Sequence, residues 1–266
     1  MANTNHTKHS QWLVENANTI VKDARKEIGR VVHQPDRRAF LQRTLTLGGL
    51  SLLSGCSLVD ENSIETALMS MSRFNDKAQG WLFDPKRLAP TYPDSMITRP
   101  FPFNAFYGED EAPVVDEAAY RLEVTGLVAD KKVWTLAELR AMPQADQVTR
   151  HICVEGWSAI GKWGGVPFAS FLQRIGADLS AKYVGFKCAD DYYTSIDMPT
   201  ALHPQTLLTL TYDSQPLPAK YGFPMKLRMP TKLGYKNPKH VQAIFVTNTH
   251  PGGYWEDQGY NWFGGS

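Results

Sequence analysis

Cys153 is the residue of this chain whose neighbours are most suggestive of chemistry. It follows Arg150 and His151 and precedes Glu155 and Gly156. A free cysteine is among the residues most often buried, so core packing is one interpretation. Cationic neighbours lower the pKa of a thiol, and a thiolate is the ligand that soft metals prefer. The residues and their spacing leave the buried hydrophobe and the metal ligand equally open.

The sequence offers no complete set of protein ligands for a metal at Cys153. It contains no C-x-x-C and no H-E-x-x-H pattern, and its seven histidines are scattered. It also lacks the glycine fingerprints of Rossmann and P-loop proteins and the G-x-S-x-G of serine hydrolases. A hydrolase that pairs Cys153 with a distant histidine stays open. If Cys153 instead binds a metal, that metal must bring its other ligands with it.

A second candidate for chemistry is the basic stretch of residues 220–240, which contains no acidic residue. Its cationic and imidazole side chains are Lys220, Lys226, Arg228, Lys232, Lys236, Lys239 and His240. A bound phosphate needs cationic donors and free backbone amides, and such a stretch supplies both. A solvated basic face is the alternative interpretation. Because proline and glycine interleave with the charges, loops that bind an anion are favoured over a regular face.

Composition and charge narrow the class of protein. Of the 266 residues, 42% are hydrophobic and 21% are charged, which is typical of a globular protein. The formal net charge of +1 gives no sign of the basic surface that binds nucleic acid. Three cysteines are too few for a disulfide framework. We therefore expect a globular domain with no nucleic-acid partner.

The first 56 residues are predicted to contain an export signal. Residues 1–36 form a polar N-terminal extension, and residues 37–56 begin with Arg37-Arg38, which resembles a twin-arginine signal. The chain carries no charge between Arg43 and Asp60, a run too short for a bilayer span of about 20 residues. It includes Leu53-Ser54-Gly55-Cys56, which resembles a lipoprotein cleavage box with Cys56 as the lipidated residue.

This export signal indicates a periplasmic protein that is anchored to the membrane by a lipid. Twin-arginine export carries folded proteins, and a protein is folded before export mainly when a cofactor must be inserted first. A short buried helix is the alternative interpretation of residues 37–56, but it gives the paired arginines no role.

The remaining chain predicts a linker followed by a β-rich domain. Residues 57–100 form the predicted linker and cap, with helical spacing from Ser63 to Phe74 and an extended, proline-rich remainder. Residues 101–266 form the predicted domain, in which strands outnumber short connecting helices. The predicted strands are Tyr120–Val124, Gln147–Val154, Lys182–Lys187, Tyr192–Met198, Leu207–Tyr212 and Val241–Val246. This pattern predicts the α+β class with a mixed sheet.

Two of the connecting helices are marked by signals at their ends. Thr135 and Glu138 form a predicted capping box for a helix that ends before Pro143. Pro167 is predicted to be the first residue of another helix, which Gly176 ends.

The segment RHICVEGWSAIGKWGGVPFASFLQ, residues 150–173, resembles the molybdenum-cysteine segment of the sulfite oxidase-type molybdopterin enzymes. It is especially similar to the catalytic subunits of bacterial periplasmic protein-methionine-sulfoxide reductases. The resemblance covers about residues 101–247. It implies a mixed, β-rich sulfite oxidase-type fold, with molybdenum held by one molybdopterin and by Cys153. Arg150 and His151 would then set the electrostatics near the metal.

The resemblance also implies which residues contact the pterin. Those implied early in the domain are Asn104, Phe106, Tyr107, Gly108 and Cys188, of which Gly108 replaces a frequent acidic residue and Cys188 a threonine. Those implied in the basic stretch are Tyr221, Lys226, Arg228, Asn237 and Lys239. Tyr221 stands where the family has asparagine or histidine, and Lys226 where it has arginine. A lysine meets a phosphate as a point charge without the fork geometry, which Arg228 would then supply.

The function that the resemblance implies is oxygen-atom transfer at molybdenum, with reduction of a small-molecule or protein-bound S-oxide or N-oxide. The chain has no C-x-x-C-H haem-attachment pattern, so we expect electrons from another protein, by family analogy a membrane b-type cytochrome. One alternative is sulfite dehydrogenase, which usually needs a cluster of arginines. Another is a non-catalytic lipoprotein that binds a partner through the same fold. The aromatic residues of 250–266 would line the active-site mouth, dock a partner or pack as a tail.

Overall fold

The structure is a computed structural model that describes residues 61–266. The predicted polar extension of residues 1–36 and the predicted export and lipoprotein segment of residues 37–56 lie outside the described residues. The chain divides into two compact units between Thr66 and Ala67. The second unit, residues 67–266, contains all the strands described below.

The first described element is a helix that is longer than its sequence spacing predicts. Helix α1 spans Glu61–Leu82, whereas helical spacing indicates an end at Phe74. The helix continues because no proline occurs before Pro85, and Gly80 is tolerated within it. The proline-rich segment after α1 is largely irregular, as predicted. It is tied to the domain where Tyr92 N donates to Val148 O at 3.0 Å.

The described strands form two sheets. The first sheet has four strands in the order β1 (Glu123–Gly126), β9 (Val241–Thr247), β4 (Tyr183–Cys188) and β5 (Tyr193–Asp197). Strands β1 and β9 are parallel, whereas the other two pairs are antiparallel. The predicted mixed sheet, and with it the α+β class, is confirmed.

The second sheet is antiparallel, and it carries both stretches that the sequence analysis selected for chemistry, the Cys153 segment and part of the basic stretch. Its strands are β2 (Ala145–Ile152), β3 (Ser158–Pro167), β6 (Leu207–Tyr212) and β7 (Gln215–Pro216), with β8 (Lys226–Arg228) paired to β6. Cys153 comes directly after β2, and β8 carries the first part of the basic stretch. The sheet therefore positions the cysteine and the cations in one framework.

Short helices connect the strands, and one of them starts a residue later than predicted. Helix α2 (Leu136–Ala141) has the predicted capping box, because Thr135 Oγ1 accepts from Glu138 N at 3.2 Å while Thr135 N donates to Glu138 Oε2 at 2.8 Å. Helix α3 (Phe168–Arg174) follows Pro167, which is the last residue of β3 because its backbone is still extended. A left-handed Gly176 ends this helix, as predicted. Helix α4 spans Met198–Ala201.

Two buried clusters hold the sheets in place. The larger one joins side chains of both sheets and α3, with Leu122, Phe171, Phe186 and Ile244 fully buried in it. The smaller one is aromatic and is built around Trp163, which contacts Phe101 and Tyr221. Lys226 lies with its Nζ 4.8 Å from the centroid of the Trp163 ring. The smaller cluster is therefore the apolar floor beneath the buried cations of β8.

Candidate functional site

Cys153 is presented by the tight turn between β2 and β3. Cys153 N donates to Trp157 O at 2.9 Å, and Gly156 N donates to Cys153 O at 3.2 Å. Gly156 has a φ of +92°, a conformation that favours glycine. The turn breaks the strand alternation at Cys153 and directs residues 153–155 toward a pocket.

The pocket brings together segments that are far apart in the sequence. It has a cavity volume of about 150 Å³. Its lining includes segment 104–107, turn 153–155, residues 190 and 192, residues 234, 235 and 237–239, and two residues of the C-terminal tail, Trp255 and Tyr260. Of the sequence-predicted site residues it joins Asn104, Phe106, Tyr107, Cys153, Asn237 and Lys239.

Beside the pocket lies a cluster of buried basic side chains, the cation cluster, which consists of His151, Lys226, Arg228, Lys239 and His240. All five side chains are buried. Burial, and then the charges of Arg228, Lys226 and Lys239, hold the pKa of His151 well below its ordinary value. Burial, and then the charges of Lys239 and Arg228, likewise lower the pKa of Lys226. Within residues 61–266 no carboxylate forms an ion pair with Lys226, Arg228 or Lys239.

Several polar atoms of the cation cluster are buried without a hydrogen-bond partner among the described residues. They are both ring nitrogens of His151, Nε of Arg228 and Nε2 of His240. Such atoms are costly unless a ligand or water pairs with them. The donors and their excess positive charge fit an anion with several acceptors, as a phosphorylated pterin is.

A glycine leaves the space that such a group needs. A Cβ built at Gly234 would lie 2.8 Å from His151 Nε2 and 3.4 Å from Asn104 Nδ2. The first of these distances is shorter than real Cβ contacts. Any side chain at position 234 would therefore displace the imidazole of His151 or fill the space between His151 and Asn104, which we call the cradle. The chain therefore keeps open the region between His151 and Asn104.

Arg228 connects the cation cluster to the strand that carries Cys153. Its Nη2 donates to Arg150 O at 2.6 Å, and its Nη1 donates to Asn237 Oδ1 at 3.2 Å. The same Asn237 oxygen accepts from Met229 N at 2.6 Å. These bonds join β8, the end of β2 and the pocket loop. Arg228 therefore has structural partners for its Nη atoms, whereas its buried Nε has no hydrogen-bond partner among the described residues.

Lys239 connects the two sides of the pocket. Its Nζ donates to Asn104 O and, at 2.9 Å, to Lys220 O. Burial lowers the pKa of Lys239 to about 8, against the opposing charges of Asp190, Glu109 and Cys153. An anion bound beside it would restore the charged form.

The pKa of Cys153 is raised, contrary to the sequence expectation that nearby cations lower it. Burial is the largest cause, and the charge of Glu155 adds to it against the lowering effect of backbone amides. Arg150 does not oppose this shift, because its side chain is exposed and lies over the ring of Tyr92, 5.5 Å from its centroid. A bound metal reverses this balance, since coordination deprotonates a thiol.

Glu155 is held in a fixed position close to the sulfur. Its Oε2 accepts from Trp157 Nε1 at 2.8 Å and lies 3.5 Å from Cys153 Sγ. Among the described residues no group of three or more His, Cys, Asp and Glu could hold a metal ion. Cys153 therefore suits a metal that arrives with most of its ligands.

Seven of the predicted site residues do not line the pocket: His151, Lys226 and Arg228, which are buried behind it, and Arg150, Tyr221, Gly108 and Cys188. Arg150 lies at a separate cavity beside Tyr92 and the end of α1. Tyr221 donates its hydroxyl to Phe101 O at 2.7 Å within the aromatic floor. Gly108 N donates to Glu111 Oε2 at 2.7 Å, and Cys188 is buried in the larger core. Their proposed contacts to the cofactor stay predictions.

The pocket also contains residues that sequence reasoning did not select. Asp190 and Tyr192 come from the turn after β4, and Tyr235 from the basic stretch. Two adjacent aspartates, such as those at 190 and 191, are typical of a turn. The structure agrees, because Asp191 has the left-handed φ of +58°. Trp255 and Tyr260 come from the aromatic tail, for which lining the mouth was one of three interpretations. Only the folded chain shows that this interpretation applies.

Comparison with known proteins gives the class of this protein. The family model described as the oxidoreductase molybdopterin binding domain matches residues 109–255. The chain belongs to this family and is a molybdopterin-binding oxidoreductase. The predicted cofactor, enzyme class and fold class are therefore confirmed.

Individual relatives carry more specific names. The putative protein-methionine-sulfoxide reductase subunit YedZ1 of Azospira oryzae is 71% identical over 97% of this chain and 99% of that protein. The protein-methionine-sulfoxide reductase catalytic subunit MsrP of Burkholderia mallei is 31% identical over 61% of this chain and 56% of that protein. Among solved structures, the sulfane dehydrogenase SoxCD from Paracoccus pantotrophus covers 52% of this chain and 40% of that chain, at 20% identity and a TM-score of 0.49.

Gly234→Ala is expected to lower the content of bound molybdopterin several-fold, because the added Cβ closes the space beside His151 Nε2. Pterin fluorescence and molybdenum analysis of the purified protein measure this. Gly80→Ala is the matched control, since its Cβ would meet the Phe263 ring at an ordinary 3.7 Å. Full loading of a folded Gly234→Ala protein would show that the cradle is not part of the cofactor site.

Proposed function

We propose that this protein is a catalytic subunit that reduces methionine S-oxide, free or in proteins, to the thioether. The observation that carries this proposal is the charge distribution of the Cys153 pocket. The cations lie behind the cofactor region, whereas the open side of the pocket is aromatic and carries two carboxylates. A neutral sulfoxide suits that environment better than an anion does.

The residues that would hold the cofactor are those already brought together around the pocket. Cys153 would supply the protein ligand to molybdenum, Lys226, Arg228 and Lys239 would neutralise the phosphate of the pterin, and a ring N–H of His151 would donate a hydrogen bond to it. The molybdenum cofactor supplies oxygen-atom transfer through two oxidation states of the metal. Reduction of a sulfoxide consumes two electrons and two protons and releases the oxygen as water, so the site must remain open to water and to an electron donor.

The aromatic side of the pocket favours a substrate that contains sulfur in an apolar side chain. Phe106 and Tyr254 are stacked with centroids 5.0 Å apart, and Trp255 contacts Tyr260 at 5.1 Å. Phe106 and Tyr260 are partly exposed at the mouth. Sulfur makes favourable contacts with aromatic rings, each worth about 0.3–1.5 kcal/mol. These rings would bind the methionine side chain while its S–O bond reaches the metal.

The same pocket disfavours sulfite, the substrate of the alternative activity. Glu155 and Asp190 line the pocket, and their charges would repel a dianion. Among the described residues that line the pocket, the one cationic side chain is Lys239, whose Nζ already donates to two backbone oxygens. Arg150, the arginine nearest to Cys153 in the sequence, lies outside the pocket. The names of the Azospira and Burkholderia relatives support the same choice.

Cys153→Ser is expected to reduce molybdenum from about one atom per chain to near background and to abolish dye-linked reduction of methionine sulfoxide, because the protein ligand is lost. The protein should be produced in a host that makes the cofactor and measured by metal analysis. Cys56→Ser, outside the described domain, is the matched cysteine control and should keep both properties. Wild-type protein that folds without molybdenum would instead favour a non-catalytic binding module.

Trp255→Ala is expected to raise the KM for methionine sulfoxide about tenfold with little change in kcat, because it removes binding contacts without touching the metal. Steady-state kinetics with a reduced dye measure both constants. Trp81→Ala, on the exposed side of α1, should leave them unchanged. Sulfite oxidation that exceeds sulfoxide reduction in the same preparation would contradict the proposed direction and favour sulfite dehydrogenase.

We further propose that the protein acts in the periplasm, with a lipid anchor at Cys56 and electrons from a membrane b-type cytochrome. The support lies in the sequence: Arg37-Arg38 before an apolar segment, the box that ends at Cys56, and the lack of a haem-attachment pattern. Among residues 61–266, no helix has the length and apolar character needed to cross a membrane.

Replacing Arg37 and Arg38 together by lysine is expected to trap the protein in the cytoplasm, because the twin-arginine route requires the pair. Cell fractionation with an antibody to the protein measures the distribution. Lys8→Arg, a charge-conserving change in the polar extension, should leave export unchanged. Periplasmic accumulation of the double variant at the wild-type level would exclude this route.

A further inference from the structure

Helix α1 exposes a continuous stripe of large apolar side chains, the α1 stripe. It consists of Leu68, Met71, Phe74, Trp81 and Leu82, whose exposed fractions are 60%, 68%, 74%, 84% and 72%. Their spacing of three and seven residues, together with the adjacent Leu82, places them on one side of a helix. Soluble proteins rarely leave such a surface uncovered, so the stripe marks a contact with an apolar partner.

The other side of α1 attaches the helix to the domain through polar contacts. Asp76 Oδ1 accepts from Asn261 Nδ2 at 2.6 Å and from Phe263 N at 2.9 Å. Gln79 Oε1 accepts from Gly265 N at 3.3 Å. Asp76 and Gln79 lie on the helix side away from Phe74 and Trp81. These contacts fix the orientation of α1, with its polar side inward and its apolar side outward, the reverse of a helix that packs on a core.

We propose that the α1 stripe docks this domain onto the surface of a lipid bilayer. Helix α1 begins five residues after Cys56 and two residues after the end of the uncharged run of residues 44–59. Five extended residues span at most ~18 Å, so a lipid or apolar anchor in that segment holds the start of α1 at the membrane surface. The helix therefore lies where a bilayer interface is already within reach.

The composition of the stripe and its surroundings fits the bilayer interface. Trp81 and Phe74 are side chains that partition into the interface, with leucine and methionine beside them. Lys77, Lys86 and Arg87 are exposed near the Trp81 end and can meet anionic headgroups. The helix would lie in the plane of the membrane with its apolar side in the acyl boundary.

Docking through α1 would also set the position of the substrate pocket. Asp76 holds Asn261 and Phe263, and Asn261 O accepts from the hydroxyl of Tyr235, which lines the pocket. The same tail provides Tyr260 at the pocket mouth. The bilayer contact and the mouth are therefore connected through a few hydrogen bonds. The proposal does not depend on which oxide is reduced.

The test is quenching of Trp81 fluorescence by brominated phospholipids. The full chain with Cys56→Ser, which has no acyl chain, is mixed with vesicles of phosphatidylcholine and phosphatidylglycerol that carry bromine on the lipid tails. Trp81→Phe is expected to remove most of the quenching, because Trp81 enters the interface. Trp12→Phe, in the polar extension, is the matched control and should retain it. This measurement reports the depth of one residue, so membrane binding through residues 44–59 does not mask it.

A second pair of variants tests the stripe while Trp81 is kept. Phe74→Ser with Leu82→Ser should reduce the quenching several-fold, whereas Val114→Ser, at an even more exposed apolar residue elsewhere, should not. Equal quenching of the parent and Trp81→Phe would overturn the proposal. A dimer that sediments as such without lipid and dissociates in Phe74→Ser with Leu82→Ser would also overturn it, in favour of a second copy. Molybdenum content and dye-linked activity should stay constant, so either failure leaves the proposed function intact.

Discussion

The structure around Cys153 depends on positive charge that the protein buries without neutralising it. Lys226, Arg228 and Lys239 lie around His151, and burial lowers the pKa of all four side chains. Isolated buried charges are expensive, and mutual repulsion adds to the cost. The fold supports this arrangement with an aromatic floor under Lys226 and with backbone acceptors for Arg228 and Lys239. An anionic cofactor that binds here pairs with these charges and removes the cost of burying them. The cation cluster is therefore the part of the site that most directly explains why molybdopterin binds.

Sequence reasoning located this site because its strongest signals are local. The Cys153 turn, the basic stretch and the Asn104–Tyr107 segment can each be recognised within a few residues, and the structure places all three at one pocket. The Thr135 cap and strand β6 were also predictable from local pattern. Residues that are not tied to a local signal could not be placed. Asp190 enters through a turn and Tyr260 through a tail, and only tertiary packing brings either of them to the pocket.

The direction in which side chains point was the other feature of the site that was not predicted from the sequence. Arg150 and His151 are adjacent, and successive residues of a strand point to opposite sides, so they could not both face the metal. His151 points inward and Arg150 outward. Similarly, Lys226 and Arg228 alternate with apolar residues and have the pattern of an exposed strand face, yet both are buried. These functional charges are exceptions to the usual rule that polar residues face water. The exception itself indicates where the site lies.

The parallel pairing of β1 with β9 has a consequence for how the molecule assembles. Glu123 lies opposite Ala243, so the first sheet closes only when residues 120 positions apart meet. Proteins dominated by such non-local pairing fold slowly, and their unpaired strand edges stay open to aggregation in the meantime. Every residue of β2, β3 and β8 that forms the site lies between these two strands in the chain. Newly made protein therefore exposes these strand edges until the pairing of β1 with β9 has formed.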